Sequence, residues 1–163
     1  LARKSAHNIG KNMNWEQWDN AKIAGCALCE QAGGELIWQN EQLRVVLVDD
    51  KLFAGFTRVI WQEHVVEMTD LSLEQREVLM RTVYLVETIQ REVLKPTKIN
   101  LASLGNMTPH LHWHVIPRFE RDANFPNPVW ALSAEDAKNA QANGLSQEVL
   151  TDYVRALKIA LWS

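Results

Sequence analysis

Residues 110–116 carry three histidines, at positions 110, 112 and 114, separated by single apolar residues. On a β-strand, side chains two residues apart point to the same face, so all three imidazoles are predicted to share one strand face. Leu111, Trp113 and Val115 are predicted to pack into a core on the opposite face. The chain has only five histidines, so three on one face indicate chemistry rather than a solvated surface.

Two kinds of chemistry suit this spacing. Histidines two apart on a strand are separated by about 6.6 Å, so a neighbouring pair could chelate a metal, whereas the outer pair could not do so by itself. Alternatively, the central imidazole is a nucleophile in phosphoryl or nucleotidyl transfer, with its neighbours binding phosphate oxygens or donating a proton. Histidine suits this role because its ordinary pKa of about 6.5 allows proton exchange near neutrality.

The only two cysteines, Cys26 and Cys29, form a Cys-x-x-Cys pair. Three hypotheses apply to them: a redox pair, two buried thiols without a role, and two ligands of a zinc site. A redox pair is expected between a strand and a helix N-terminus, and the sequence before Cys26 does not resemble a strand. A zinc site requires two further ligands from elsewhere in the chain.

The stretch HLHWHVI resembles the signature of the histidine triad superfamily, His-φ-His-φ-His-φ-φ, where φ is apolar. The longer segment NLASLGNMTPHLHWHVIPR is similar to that family's asparagine strand, glycine turn, triad strand and closing Pro-Arg. CALC, VVLVDD and VIWQEHVVEMTDL resemble its N-terminal half, so the resemblance covers most of residues 26–119. The segment RFERDANFPNPVWA resembles a bacterial branch described as diadenosine-polyphosphate hydrolase-like.

This resemblance implies a nucleotide hydrolase or nucleotidyl transferase that acts on the α-phosphate of a dinucleoside polyphosphate or nucleoside phosphoramidate. His112 would be the nucleophile that forms a nucleotidyl-histidine intermediate, and His114 would contact the transferred phosphate. His110 would take part through its backbone carbonyl, which holds the other ring nitrogen of the nucleophile. The substrate-binding residues implied by matching positions are Asn100, Asn106, Asp49 and Thr108.

The same resemblance implies a structural zinc site, because some relatives bind zinc through a cysteine pair and two histidines. The matching positions are Cys26, Cys29, His64 and His110, and a His110 that binds zinc cannot also protonate the leaving group. Catalysis itself requires no cofactor in this family. The implied partners are a small nucleotide and a second copy of the chain in a homodimer.

Four positions depart from the family's common pattern, one of them being Trp61 in place of the usual proline. Met107 replaces a Ser or Thr whose hydroxyl contacts phosphate, while Asn106 replaces Gln with a shorter reach. Phe56 replaces a histidine on the third strand. The differences at Met107 and Phe56 support one rival hypothesis, a nucleotide-binding module with little turnover. A second rival is a metal-dependent enzyme that uses the imidazoles as ligands.

The elements that position these residues are predicted from hydrophobic periodicity. Ser72 begins a helix with Gln75 in a capping box, and the helix ends before Pro96. Ser133 and Ser146 are also predicted N-caps, the second opening a C-terminal helix, and 14–24 is a short helix or irregular segment. The predicted strands cover residues 33–40, 43–50, 55–62, 98–104 and 110–116. This layout predicts an α+β fold with a five-stranded antiparallel sheet, one long helix and a helical C-terminal tail.

The 163 residues suit one domain, predicted over 14–163. Residues 1–13 are predicted to be a leader or expression remnant, and its last residue, Met13, is the candidate native start. The formal net charge of −3 argues against a nucleic-acid or acidic-membrane surface. No apolar run approaches the roughly 20 residues that span a bilayer. The N-terminus has no apolar signal-peptide region, so we expect a cytoplasmic protein.

Overall fold

A computed structural model describes residues 22–131 and 144–163 of the chain. The predicted leader at 1–13, most of the predicted segment at 14–24 and the predicted N-cap Ser133 lie outside the described residues. Within the described ranges, no helix combines the length and the apolar character that crossing a membrane requires.

The five predicted strands form one antiparallel sheet, as expected. In spatial order the strands run β1-β2-β3-β5-β4, which places the histidine strand between the third and fourth strands. Their bounds are β1 Glu35–Gln39, β2 Leu43–Leu47, β3 Thr57–Trp61, β4 Lys98–Ala102 and β5 His112–Arg118.

Strand β5 begins at His112 and ends at Arg118, whereas the sequence predicted 110–116. His110 and Leu111 precede the regular ladder, although Leu111 still exchanges backbone hydrogen bonds with Val65 and Trp61. Pro117 is tolerated inside the strand because β3 pairs with β5 only as far as Val115. Its missing N–H therefore removes no hydrogen bond from the β3 ladder.

The long helix α2, Leu73–Ile89, begins at the predicted capping box, where Ser72 accepts from the Gln75 amide. A π-helical segment, Gln90–Leu94, extends α2 until Lys95 adopts a left-handed conformation with φ of 50°. The C-terminal helix α3, Gln147–Trp162, is capped by Ser146 as predicted. A four-residue helix α1, Ala27–Glu30, contains the second cysteine.

Helices α2 and α3 pack against one face of the sheet and form the main core with it. Val59, Trp61 and Val115 point to this face, where they pack with the buried residues of α2. The buried α2 residues are Leu79, Val83 and Val86. Strand alternation then directs the side chains of His112 and His114 to the opposite face, which α1 and the loop after β5 cover in part.

Candidate functional site

His112 lies at the start of β5 and is oriented by its own strand. Its Nδ1 is 2.5 Å from the backbone carbonyl oxygen of His110. Because a carbonyl can only accept a hydrogen bond, Nδ1 carries the proton and Nε2 keeps its lone pair in the neutral ring. Burial lowers the pKa of His112, although the bond to the His110 carbonyl opposes this shift. The ring is therefore neutral at pH 7 and able to attack an electrophile through Nε2.

His114 lies two residues further along β5, on the same strand face as the nucleophile and beside it. The ring centroids of His112 and His114 are 4.7 Å apart, and the Phe56 ring packs 5.3 Å from His114 on the other side. Burial lowers the pKa of His114 to about 3, and the neighbouring His112 acts in the same direction. A neutral imidazole at this position can donate one hydrogen bond to a phosphate oxygen.

His110 is almost completely buried, and both of its ring nitrogens have partners. Nε2 lies 2.7 Å from the Trp61 carbonyl oxygen and donates to it, while Nδ1 lies 3.4 Å from Cys29 Sγ and 3.5 Å from Cys26 Sγ. Burial lowers its pKa to about 4. The His110 ring thus faces the cysteines, and only its backbone carbonyl faces the nucleophile.

Cys26, Cys29, His64 and His110 form a compact cluster whose ligand atoms all lie within 4.8 Å of one another. His64 Nδ1 is 3.4 Å from Cys29 Sγ, and both cysteines are free thiols. Two thiolates and two imidazoles form the S2N2 donor set that zinc binds tetrahedrally. The Trp61 carbonyl fixes the tautomer of His110 in the manner typical of metal-bound histidine. The cluster therefore fits the predicted zinc site.

A cleft of about 780 Å³ opens beside His114 on the histidine face of the sheet and extends past the edge strand β4 to Glu87 of α2. Its polar lining includes Asn100 on β4 and Asp50 in the loop after β2. Aromatic rings from two loops provide much of the remaining surface. These rings belong to Phe53, Phe56, Phe125 and Trp130.

Asn100 is held at the cleft by Arg118, whose Nη1 donates to Asn100 Oδ1 at 2.8 Å. Arg118 also forms a buried ion pair with Asp122, with Nε 2.8 Å from Oδ2. Burial acts to raise the pKa of Asp122, but the Arg118 bond and backbone amides outweigh it and lower that pKa. These contacts anchor the loop after β5, including Phe125, at one end of the cleft.

The two adjacent aspartates differ in position. Asp50 borders the cleft, and its Oδ1 accepts hydrogen bonds from the amides of Leu52 and Phe53. Asp49, which the sequence analysis selected for substrate binding, borders none of the described cavities except a separate pocket beside α3, which Asp50 also borders. The structure therefore brings Asp50, rather than Asp49, to the histidine side of the sheet.

The turn before β5 separates the remaining predicted residues. Thr108 borders a small cavity of about 280 Å³ together with His112 and Arg58. Asn106 is exposed and lines none of the three described cavities. Met107 is 98% exposed and makes this turn the most solvated part of the site.

Two arginines near the site, Arg44 on β2 and Arg58 on β3, were missed by the sequence analysis. Arg44 is 2% exposed and donates from Nη2 to the Leu28 carbonyl at 2.6 Å, from Nε to Ala32 O and from Nη1 to Gln62 Oε1. It thereby fixes the segment after Cys29, and burial lowers its pKa to about 10. The available signal was a lone charge inside each of two apolar strands, LRVVL and TRVIW.

Comparison with known proteins gives a consistent result. Residues 30–121, more than half of the chain, match the HIT domain. A histidine triad protein from Bradyrhizobium japonicum is 26% identical, covers 87% of this chain and 99% of its own, and superposes with a TM-score of 0.68. No curated protein matches the sequence significantly.

Two more distant structures share the fold. A histidine triad (HIT) protein from Sinorhizobium meliloti is 24% identical, with 79% of this chain and 90% of that one covered and a TM-score of 0.63. A zinc-bound histidine triad family protein from Mycobacterium smegmatis is 22% identical, with 84% and 95% covered and a TM-score of 0.56.

Proposed function

The chain belongs to the histidine triad (HIT) family, and on that premise we propose that it cleaves nucleotides at the α-phosphorus. His112 forms the nucleotidyl-histidine intermediate. The substrates are dinucleoside polyphosphates or nucleoside phosphoramidates, as in the diadenosine-polyphosphate hydrolase-like branch. The observation that carries this proposal is the 2.5 Å contact between His112 Nδ1 and the His110 carbonyl, because it leaves Nε2 as the nucleophilic atom.

The reaction proceeds in two displacements at phosphorus. Nε2 of His112 forms a bond to the α-phosphorus while the bond to the leaving group breaks, and the leaving group retains the electron pair. The ring then carries a positive charge, which the hydrogen bond from Nδ1 to the His110 carbonyl stabilises. Water attacks the phosphorus next, and the electron pair of the N–P bond returns to His112. One proton of the water is lost to solvent, and a nucleoside monophosphate is released.

The rest of the site supports this assignment of roles. His114 lies beside the nucleophile and lines the large cleft, so it can donate a hydrogen bond to a non-bridging phosphate oxygen. Asn100 lines the same cleft with its orientation fixed by Arg118. Apolar and aromatic side chains provide the surface that a nucleoside requires, with a few polar groups to orient it.

The proposal includes a zinc ion held by Cys26, Cys29, His64 and His110. Bound there, zinc would supply a structural crosslink between α1, the segment before α2 and the turn before β5. The chain's own contribution to catalysis is the His110 backbone, which orients His112. Because the His110 ring faces the cysteines, the proton for the leaving group comes from another donor.

A cytosolic homodimer completes the proposal. Strand β4 lies at the edge of the sheet, and an unpaired strand edge is a surface on which a second copy can assemble. Light scattering of the purified protein would measure the mass directly. A mass of one chain across the working concentration range would contradict the dimer.

Adduct trapping tests the function. Diadenosine tetraphosphate labelled in its α-phosphates is mixed with wild type, His112→Ala and the exposed control Arg81→Met, and denatured protein is assayed for label. We expect label on wild type and Arg81→Met only, with turnover by His112→Ala reduced at least about 10³-fold. If wild type binds adenosine monophosphate but neither labels nor turns over any substrate, the protein is a nucleotide-binding module instead.

A further inference from the structure

A second, smaller cavity lies on the other side of the nucleophile from the large cleft. It has a volume of about 280 Å³ and is lined by His112, Thr108, Arg58 and the Gly33–Gly34 turn that follows α1. Gly34 has no room for a side chain, since a Cβ there would lie 2.4 Å from the Leu47 carbonyl oxygen. Backbone atoms of this tight turn, rather than a side chain, therefore form this wall of the cavity.

Arg58 is the cationic group of this cavity. It pairs with His114 across the β3–β5 ladder, so its side chain lies on the histidine face of the sheet. Nη1 donates to the Gly33 carbonyl at 3.1 Å, and the guanidinium carbon lies 5.3 Å from the centre of the Phe56 ring. These two contacts hold the guanidinium beside the nucleophile.

The Arg58 guanidinium is incompletely satisfied. Its Nε is buried and has no hydrogen-bond partner within residues 22–131 and 144–163. No carboxylate oxygen from the same residues approaches it within 4.0 Å. Arg58 is half-buried, and burial lowers its pKa although the more distant Asp50 carboxylate opposes this shift. A buried N–H donor without an acceptor is unfavourable unless an anion joins it. Phosphate oxygens are favourable partners because they accept charge-assisted hydrogen bonds from guanidinium.

The positive charge of Arg58 reaches the reacting groups. After burial itself, Arg58 is one of the charges that lower the pKa of His112 and of His114. A substrate with its α-phosphorus at His112 and its nucleoside in the 780 Å³ cleft leaves the 280 Å³ cavity for its remaining substituent. In the proposed reaction, that substituent is the leaving group.

We propose that Arg58 makes the enzyme selective for substrates whose leaving group is anionic, such as the phosphate chain of a nucleotide anhydride. The inference rests on the proposed function and specifies its substrate class. As the Nε2–P bond forms, the P–O bond breaks and its electron pair stays on the bridging oxygen, where Arg58 stabilises the negative charge. In a phosphoramidate, the P–N bond breaks and the departing nitrogen needs a proton, which a guanidinium does not provide.

The test compares two substrates on matched variants. Wild type, Arg58→Met, Arg58→Lys and the exposed control Arg81→Met are assayed for kcat/KM with diadenosine tetraphosphate and with adenosine phosphoramidate. Loss of one charge-stabilising donor typically lowers rate about 10²–10³-fold. We expect Arg58→Met to lose this factor with the anhydride and less than about 3-fold with the phosphoramidate, with Arg58→Lys intermediate and Arg81→Met unchanged.

Single-turnover kinetics separate selectivity from a structural defect. The rate of adduct formation from the anhydride should fall in Arg58→Met, whereas hydrolysis of the adduct should keep its wild-type rate, since the leaving group has already departed. Equal losses for both substrates, or no loss for either, would overturn the inference while leaving the nucleophile assignment intact. Absence of an adduct on wild type with both substrates would overturn the proposed function and this inference together.

Discussion

Two regions on either side of His112 differ in what they need from outside the chain. On one side, Cys26, Cys29, His64 and His110 converge to within 4.8 Å, with three of the four residues buried. On the other side, a 780 Å³ cleft is bordered by side chains from strands and loops. The cluster is shaped for a single ion, whereas the cleft is shaped for a molecule.

The backbone carbonyl of His110 connects the two regions, because its residue contributes a ring to the cluster and an acceptor to the nucleophile. The cleft is stabilised by a pair built from the chain itself, Arg118 with Asp122. The cluster has no such ion pair among the described residues, and its two thiols and two imidazoles contact one another through sulfur–nitrogen distances of 3.4–3.5 Å. The cleft is therefore self-sufficient, whereas the cluster offers a donor set that a bound ion would crosslink.

Breaking the Arg118–Asp122 ion pair beside the cleft should lower the free energy of unfolding more than any other change considered. In Arg118→Met, Asp122 keeps its backbone amide donors but loses its only ion-pair partner within the described chain. An uncompensated buried charge lowers the free energy of unfolding by about 3–5 kcal/mol. Urea unfolding at pH 7 measures this loss. The double variant Arg118→Met/Asp122→Asn should recover part of it, and a loss below about 1 kcal/mol in the single variant would contradict the self-sufficiency of the cleft.

Removing metal from the cysteine–histidine cluster should have the next largest effect on the free energy of unfolding. At free zinc a hundredfold above its dissociation constant, the free energy of unfolding should exceed that of chelated protein by about 2.7 kcal/mol. The proposed adduct should also form more slowly after chelation, since His110 positions His112. Cys29→Ser should unfold identically with zinc and with chelator. Superimposable wild-type unfolding curves under both conditions would show that the cluster binds no metal.

Lowering the pH should reduce the free energy of unfolding by a smaller amount, through protonation of His114 at the cleft. Its pKa is about 3 in the folded protein and near 6.5 when unfolded. The lowered value means that stability is complete above pH 6.5 and declines as pH falls towards 3, because the unfolded chain takes up the proton first. At pH 5 the loss is up to about 2 kcal/mol.

His114→Gln provides the matched control for this pH effect, since glutamine does not titrate. Protonation of the cluster ligands occurs in both proteins and cancels when their unfolding free energies are compared at pH 7 and pH 5. The wild type should lose more stability than His114→Gln between these two values. Parallel pH profiles would mean that the His114 ring is not desolvated as its position indicates.

The smallest effect should come from a site remote from both regions. In Ser72→Ala, the capping box of α2 loses the hydroxyl that accepts from the Gln75 amide. Loss of an N-cap of this kind costs about 1 kcal/mol. Zinc affinity and adduct formation should match the wild type. A change in either would mean that α2 couples to the site, and that the two regions are less local than their contacts indicate.

The fold and much of the site could be predicted from local sequence patterns. The alternation in residues 110–116 predicted which side chains of β5 share a face, and the structure confirms it. The capping box at Ser72 predicted the start of α2 to the residue. The metal cluster was inferred from resemblance alone, since nothing local indicates that His64 approaches Cys29.

The polar residues bordering the cavities were harder to predict. Asp49 and Asp50 are adjacent and chemically identical, and only the path of the loop after β2 places Asp50 at the cleft. Arg58 and Arg44 are single charges in apolar strands, where a lone cation usually indicates a solvated edge. Their partners are the carbonyl of Leu28 in α1 and the carbonyl of Gly33 between α1 and β1, so tertiary structure alone reveals their roles.

The sheet order has a consequence for how the protein folds. Strand β5 pairs with β3 across an interval that contains all of α2 and β4, and Cys26 meets His110 across 84 positions in the chain. The entropy cost of closing such long loops comes before the contacts that offset it can form. These contacts are therefore expected late in folding. Only Cys26 and Cys29 are close enough in sequence to bind an ion together in the unfolded chain, so the full set of four ligands forms only on folding. A metal bound at this cluster would therefore lower the rate of unfolding rather than nucleate folding.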